Sequence, residues 1–208
     1  MSKTQDFEQQ DKEYIANTYG RFNVCFEKGK GSLLWDVEGK EYIDLGSGIG
    51  VTAFGVDDDE WSKAVIAQTH ALNHISNLYY SVPQIKLAEL LCKRTGMKKV
   101  FFCNSGAESN ECAIKAARKY SHDKYGDGRN VIVTLVNSFH GRTVTTLSAT
   151  GQDVFHQHFF PFTEGFVHTP ANDIDAALKV LANPAVCAIM MEPIQGEGGV
   201  MPLDKRSE

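Results

Sequence analysis

The sequence has no apolar run approaching the length of a membrane span, and no membrane partner is expected. Its opening, Met1-Ser2-Lys3-Thr4-Gln5-Asp6, lacks the apolar stretch of a secretory signal, so a cytoplasmic location is the expectation. It also lacks a basic excess. With 21 Lys and Arg against 26 Asp and Glu, the formal net charge is -5. Nucleic acid and anionic lipid both require a basic field, so neither is expected as a partner. Cysteine is sparse: Cys25, Cys92, Cys103, Cys112 and Cys187 are scattered, odd in number and without a Cys-x-x-Cys pair. That pattern disfavours a disulfide framework and a zinc site. Internal repeats and low-complexity segments are absent as well.

What is present is an ordinary globular composition. The 208 residues are 42% hydrophobic and 23% charged, enough to bury a core and not the balance of a disordered chain. Asp6 to Tyr19 reads as an exposed helix. Ser32–Asp36 and Glu41–Leu45 flank the turn Val37-Glu38-Gly39-Lys40 as a hairpin, and the Gly-rich run 46–50 is a loop. A small N-terminal α+β segment over 1–55 is expected, with a second domain over 56–208. In that second part helices alternate with short apolar runs. Helices are predicted over Glu60–Leu72, from Pro83 to Gly96, over Gly106–Tyr125, and from Asn172 or Asp173 to Ala182. Strands are predicted at Lys99–Cys103, Asn130–Val136 and Val186–Met191. These runs do not alternate apolar with polar, as strands covered on both faces do not, so a parallel α/β sheet is expected.

In open α/β sheets ligands bind beyond the carboxyl ends of the strands. Three loops satisfy that position: Asn104-Ser105-Gly106-Ala107-Glu108, Asn137-Ser138-Phe139-His140-Gly141-Arg142-Thr143, and Glu192-Pro193-Ile194-Gln195-Gly196-Glu197-Gly198-Gly199. In the first, Ser105 and Glu108 fit a capping box. Gly106 and Ala107 would then be the first helical residues, with free N–H groups and small side chains that let a phosphate approach. A plain helix cap accounts for the same residues equally well. The loop is neither a Walker A loop nor the dinucleotide Gly-x-Gly-x-x-Gly. In the second, Phe139 offers a ring for a planar heteroaromatic ligand, and Arg142 offers a two-pronged grip on a carboxylate. Their bland alternatives are a core ring and a surface charge. His140 is a weak candidate base, since a His in a Gly-containing turn is more often structural. In the third, Glu192 and Glu197 could work as an acid–base pair or simply lie in a solvated loop. His156-x-His158 has a metal-like spacing but no third ligand, so no metal is expected.

Four stretches together resemble the class III aminotransferases, the fold-type-I enzymes that use pyridoxal 5'-phosphate (PLP). They are Leu34-Trp35-Asp36 with Gly39-Lys40-Glu41-Tyr42-Ile43-Asp44; Val100 to Glu108; Phe139-His140-Gly141-Arg142-Thr143; and Glu192 to Gly199. Their order and gaps match the family over nearly the whole chain. Gly55-Val56-Asp57-Asp58-Asp59 departs from the family's Gly-His-x-His-Pro turn, at the domain edge. The resemblance implies the aspartate aminotransferase-like large domain, with Ser105, Gly106 and Ala107 at the cofactor phosphate, Phe139 on the pyridine ring and Glu192 near it. It implies Arg142 on a substrate carboxylate and Glu197 as an acidic gate that pairs with a later arginine. The implied reaction moves an amino group from an ω-amino donor to 2-oxoglutarate in a homodimer. N-acetylornithine, in arginine biosynthesis, is the expected donor, with 4-aminobutyrate and ornithine as alternatives.

The family continues for roughly as many residues again, through an Asp-Glu-x-Gln motif, the Schiff-base lysine and a phosphate-binding Thr. None of these motifs occurs in the 208 residues, and neither Lys115 nor Lys205 has the surrounding pattern. The expectation is a truncated, incomplete large domain with no catalytic lysine, inactive alone. A non-catalytic phosphate- or PLP-binding fragment, or an unrelated phosphate-binding α/β module, are the other readings.

Overall fold

The computed structural model describes residues 2–204. The chain forms two compact units, Met1–Lys86 and Leu87–Glu208. This division by packing falls elsewhere than the 55/56 boundary expected from pattern.

The first unit opens with α1 (Lys3–Tyr14), earlier than the predicted Asp6. Ser2 explains the early start: its Oγ accepts from the Gln5 N–H at 3.2 Å, while its own N–H donates to Gln5 Oε1 at 2.9 Å. The helix stops before the predicted Tyr19 because Ile15 turns extended. Next comes an antiparallel sheet of β1 (Phe26–Lys30), β2 (Leu33–Asp36) and β3 (Glu41–Ile43) in that order. The β2–β3 hairpin agrees with the pattern; β1 was not expected. Asp36 fastens the turn, accepting from the Glu38 and Lys40 N–H groups at 3.1 and 2.8 Å and from the Tyr42 hydroxyl at 2.9 Å. The Gly-rich run holds one short turn, α2 (Ser47–Gly50), with Gly48 and Ile49 in left-handed conformation. Asp58 caps α3 (Asp59–Leu72), accepting from the Trp61 N–H at 2.8 Å. Then α4 (Val82–Thr95) runs on into the second unit.

The second unit is built on α5 (Gly106–Tyr125) and the three-stranded parallel sheet β5-β4-β6. After β4 (Val131–Leu135) come α6 (Val144–Ala149), a 3-10 turn at Asp153–Phe155, β5 (Phe166–Thr169), α7 (Ile174–Leu181) and β6 (Val186–Ile189). A small antiparallel pair, β7 (Ile194–Gln195) and β8 (Met201–Pro202), closes the described chain. Ile132 to Leu135 are all buried, as expected of a central strand. Ile132 packs with Ile114 of α5 and Ala149 of α6, and Phe166 and Ala188 fill in from the neighbouring strands.

One predicted strand is corrected. Lys99–Cys103 lies in no strand, and Phe101 is 60% exposed. A strand exists only where a neighbour takes its backbone hydrogen bonds, and among the described residues none pairs with this run.

Candidate active site

All three loops belong to the second unit, and side-chain size decides how closely they meet. Ser105 is extended and caps α5, its Oγ accepting from the Glu108 N–H at 3.2 Å. The Glu108 carboxylate reaches one residue further back than in a standard box. It accepts from the Asn104 N–H at 2.7 Å and the Asn104 amide at 3.3 Å, and from the Ser105 hydroxyl at 3.3 Å. These bonds, those from Asn104 foremost, hold the Glu108 carboxyl below the usual glutamate range. Gly106 and Ala107 stand at the helix start, and their N–H groups have no partner among the described residues. A Cβ on Gly106 would meet nothing within 4 Å. Two free donors on the positive end of a 20-residue helix, under open space, fit a phosphate.

The second loop is pressed against this helix start. Gly141 has φ +131°, and a Cβ there would sit 2.9 Å from the Ala107 Cβ and 2.6 Å from Thr146 Oγ1. Asn110, one turn into α5, donates to the His140 carbonyl at 2.8 Å. Thr143 caps α6 in a capping box with Thr146, and its hydroxyl donates to Glu111 of α5 at 2.6 Å. His140 donates from its N–H to Thr150 Oγ1 at 3.0 Å. Its ring is buried, with Nε2 unpartnered among the described residues, and burial lowers its basicity. The nearby charge of Glu192 opposes that shift, and His168 adds to it. Phe139 is half-buried, and Arg142 is exposed with no ion-pair partner among the described residues.

The third loop closes on the second. A Cβ on Gly198 would collide with the Asn137 carbonyl. Glu192 accepts from the Phe139 N–H at 2.9 Å and from the Gly196 N–H at 3.4 Å, so it orients the backbone that carries the ring. Glu197 accepts from the Gln152 amide, which also donates to the Ser138 carbonyl at 3.3 Å. Gln195 is buried and donates to the Val136 carbonyl at 2.8 Å. A hollow of about 300 Å³ lined by Val136, Asn137, Asn172, Gln195 and Met201 opens beside these two loops.

Ser105, Gly106, Ala107, Phe139, Arg142, Glu192 and Glu197 therefore stand on three loops that touch in sequence, first to second and second to third. Lys115 is exposed on α5, nine residues beyond Gly106 and so about 13 Å along the axis; Lys205 lies outside the described residues. His156 packs on Phe162 and His168, and His158 on Phe159. Pattern reading missed Asn110, Glu111, Gln152 and Phe155. Asn110 and Glu111 look like ordinary helix-surface residues, and Gln152 and Phe155 follow no motif. Only their contacts reveal them.

The family model for aminotransferase class-III matches residues 14–206. The acetylornithine aminotransferase of Haemophilus ducreyi is 56% identical over 197 residues, which are 95% of this chain and 50% of that protein. The ornithine aminotransferase of Toxoplasma gondii ME49 superimposes with a TM-score of 0.93 at 29% identity, over 100% of this chain and 49% of that one. The N-acetylornithine aminotransferase of Stenotrophomonas maltophilia gives a TM-score of 0.76 at 36% identity, over 96% and 48%. The chain spans about half the length of the curated relatives it matches.

Proposed function

Since the chain belongs to the class III aminotransferases, whose fold it has and whose cofactor is PLP, we propose that it carries the phosphate-, ring- and carboxylate-binding half of an N-acetylornithine:2-oxoglutarate aminotransferase. The observation that carries this reading is the contact of Gly141 with Ala107, which sets Phe139 and Arg142 beside two unpaired N–H donors. When bound, PLP supplies an electron sink for moving an amino group. Gly106 and Ala107 hold its phosphate through backbone N–H groups, with the Ser105 hydroxyl fixing the helix start. Phe139 presents a ring to the pyridine, its backbone held by Glu192. Arg142 grips a substrate carboxylate, and Glu197, held by the Gln152 amide, is the acidic gate of the third loop.

N-acetylornithine is favoured as donor because curated relatives 56% and 48% identical to this chain carry the name acetylornithine aminotransferase. Ornithine is the second reading, supported by the higher TM-score of the ornithine aminotransferase neighbour. Soluble location in the cytoplasm and assembly as a homodimer belong to the same proposal.

The 208-residue chain is expected to bind PLP saturably, seen as a change in cofactor absorbance, without transferring an amino group from N-acetylornithine to 2-oxoglutarate. Borohydride reduction followed by mass measurement should find no single lysine carrying the cofactor. Turnover by the chain alone, or stoichiometric labelling of one lysine, overturns the claim that the catalytic lysine lies outside this sequence. Absence of any PLP binding overturns the cofactor-binding role.

A further inference from the structure

The 3-10 turn at Asp153–Phe155 carries no motif, yet the residues at its edge reach all the side chains just assigned to substrate. Gln152, at its start, bonds Glu197 and the Ser138 carbonyl. Phe155, at its end, is half-buried and packs edge to face on Phe139, with centroids 6.0 Å apart at 61°. The Arg142 guanidinium lies over the Phe155 ring at 5.4 Å and over Phe139 at 6.0 Å. The useful reach of a cation–π contact is about 6 Å, so Phe155 is the ring that holds the cation and Phe139 sits at the limit. This matters because Arg142 is exposed and has no ion-pair partner among the described residues to fix it. A free arginine gives up considerable rotamer freedom when it grips a carboxylate. A guanidinium seated on a ring has already given up part of it, while its planar N–H fork can still pair with a carboxylate.

We propose that Phe155 is a positioning residue: an aromatic shelf that seats Arg142 and braces Phe139, so that the cation waits in the orientation a substrate carboxylate needs. The inference rests on the assignment of Arg142 to a carboxylate. It adds a specificity determinant that touches neither cofactor nor substrate. Gln152, at the start of the same turn, fixes Glu197 and so ties the placement of cation and anion to one short segment.

The test is site-resolved modification of the 208-residue chain by phenylglyoxal, read by peptide mass, with and without 2-oxoglutarate. Arg94 is the reference for an exposed arginine. Arg118 and Arg129 are references for tethered ones, each donating to backbone carbonyls. In the unsubstituted chain Arg142 should react more slowly than Arg94, and 2-oxoglutarate should protect it. Phe155→Leu should raise the Arg142 rate about threefold, the size of an exposed cation–π contact, and weaken protection, while Arg118 and Arg129 stay unchanged. Phe155→Trp should restore the slow rate. An Arg142 rate that ignores Phe155→Leu overturns the proposal. So does a rate rise shared by Arg118 and Arg129, which would make Phe155 a structural residue only. If the rate follows Phe155 but 2-oxoglutarate never protects Arg142, the shelf stands and the carboxylate assignment falls.

Discussion

At the residue scale His140 shows how a side chain inside a functional motif can serve the fold. It is 4% exposed, and its Nε2 finds no partner among the described residues. Burial of such a ring disfavours its protonation, since that would place a charge where water cannot reach it. Burial puts its pKa below the ordinary 6.5; the Glu192 carboxylate pulls the other way, and His168 pushes down again. His168 is itself lowered, by burial first and then by His156, against Asp153. The direction of linkage follows. Above the unfolded value both states carry neutral rings and the second unit keeps its full stability. As pH falls below it, the unfolded chain takes up protons that the folded chain refuses, and stability is lost until the folded value is passed. Melting temperature should therefore fall between pH 7 and pH 5. His140→Gln, which cannot titrate, should flatten that fall, and His140→Gln with His168→Gln should flatten it further. An equal slope in the single variant would remove His140 from the account. The turn context favoured a structural His140 over a base, but its burial was not legible in the sequence. A His in a Gly-containing turn gives no sign of its burial, which comes from Asn110 and Thr150 gripping its backbone on either side.

At the scale of elements, local chemistry decided what the sequence could disclose. The start of α5 was legible because Ser105 and Glu108 are three apart, and β4 was legible as a run apolar except for Thr134, without in-and-out alternation. The helix α6 was not. Val144, Thr145 and Thr146 are β-branched and poor helix formers, and the Thr143–Thr146 capping box together with full burial of Thr146 to Ala149 overrides them. The strand β5 reads Phe-Val-His-Thr, too short and too mixed to stand out, and becomes a strand because β4 pairs with it residue for residue. Lys99–Cys103 shows the converse, a strand-like run with no ladder among the described residues. The meeting of α5 with the loop before α6 gives a paired prediction. Gly141→Ala would force a Cβ 2.6 Å from Thr146 Oγ1 and 2.9 Å from the Ala107 Cβ at a φ of +131°. It should cost about 1–3 kcal/mol in denaturant unfolding. Gly106→Val meets open space and should leave unfolding within about 1 kcal/mol of the parent. Its methyls would nevertheless stand over the two free N–H donors, and PLP affinity should fall about tenfold or more, the loss expected of one charge-assisted hydrogen bond. Equal stability for the two variants would contradict the close approach. Undiminished affinity for Gly106→Val would move the phosphate elsewhere.

At the scale of the whole molecule, the two units differ in how much they bury. Among the described residues of Met1–Lys86 only Asp36 and Val37 are buried, while Phe22, Leu45, Ile49, Val51 and Tyr80 are each 84% exposed or more. On α3, Trp61, Val65, Ile66 and Leu72 remain between 43% and 58% exposed. Ordering a residue costs about 1–2 kcal/mol in backbone entropy, and that cost is met by removing apolar surface from water. One buried Val cannot meet it for a unit of this length. The second unit is better placed, with Ile114, Ile132, Val133, Leu135, Leu147 and Val186 all buried. Amide exchange of the isolated chain should therefore be slowest in Val131–Leu135 and near Ile114, and close to unprotected in α1 and α3. The same chain should bind a hydrophobic dye, because apolar surface on this scale is ordinarily covered by more polypeptide. Co-production with a segment matching the second half of the Haemophilus ducreyi relative should lower dye binding and bring protection to α3. Protection in α3 equal to that in β4 for the chain alone would mean that self-association already covers the face. A sedimentation mass above that of one chain would then identify the cover as further copies of the same sequence.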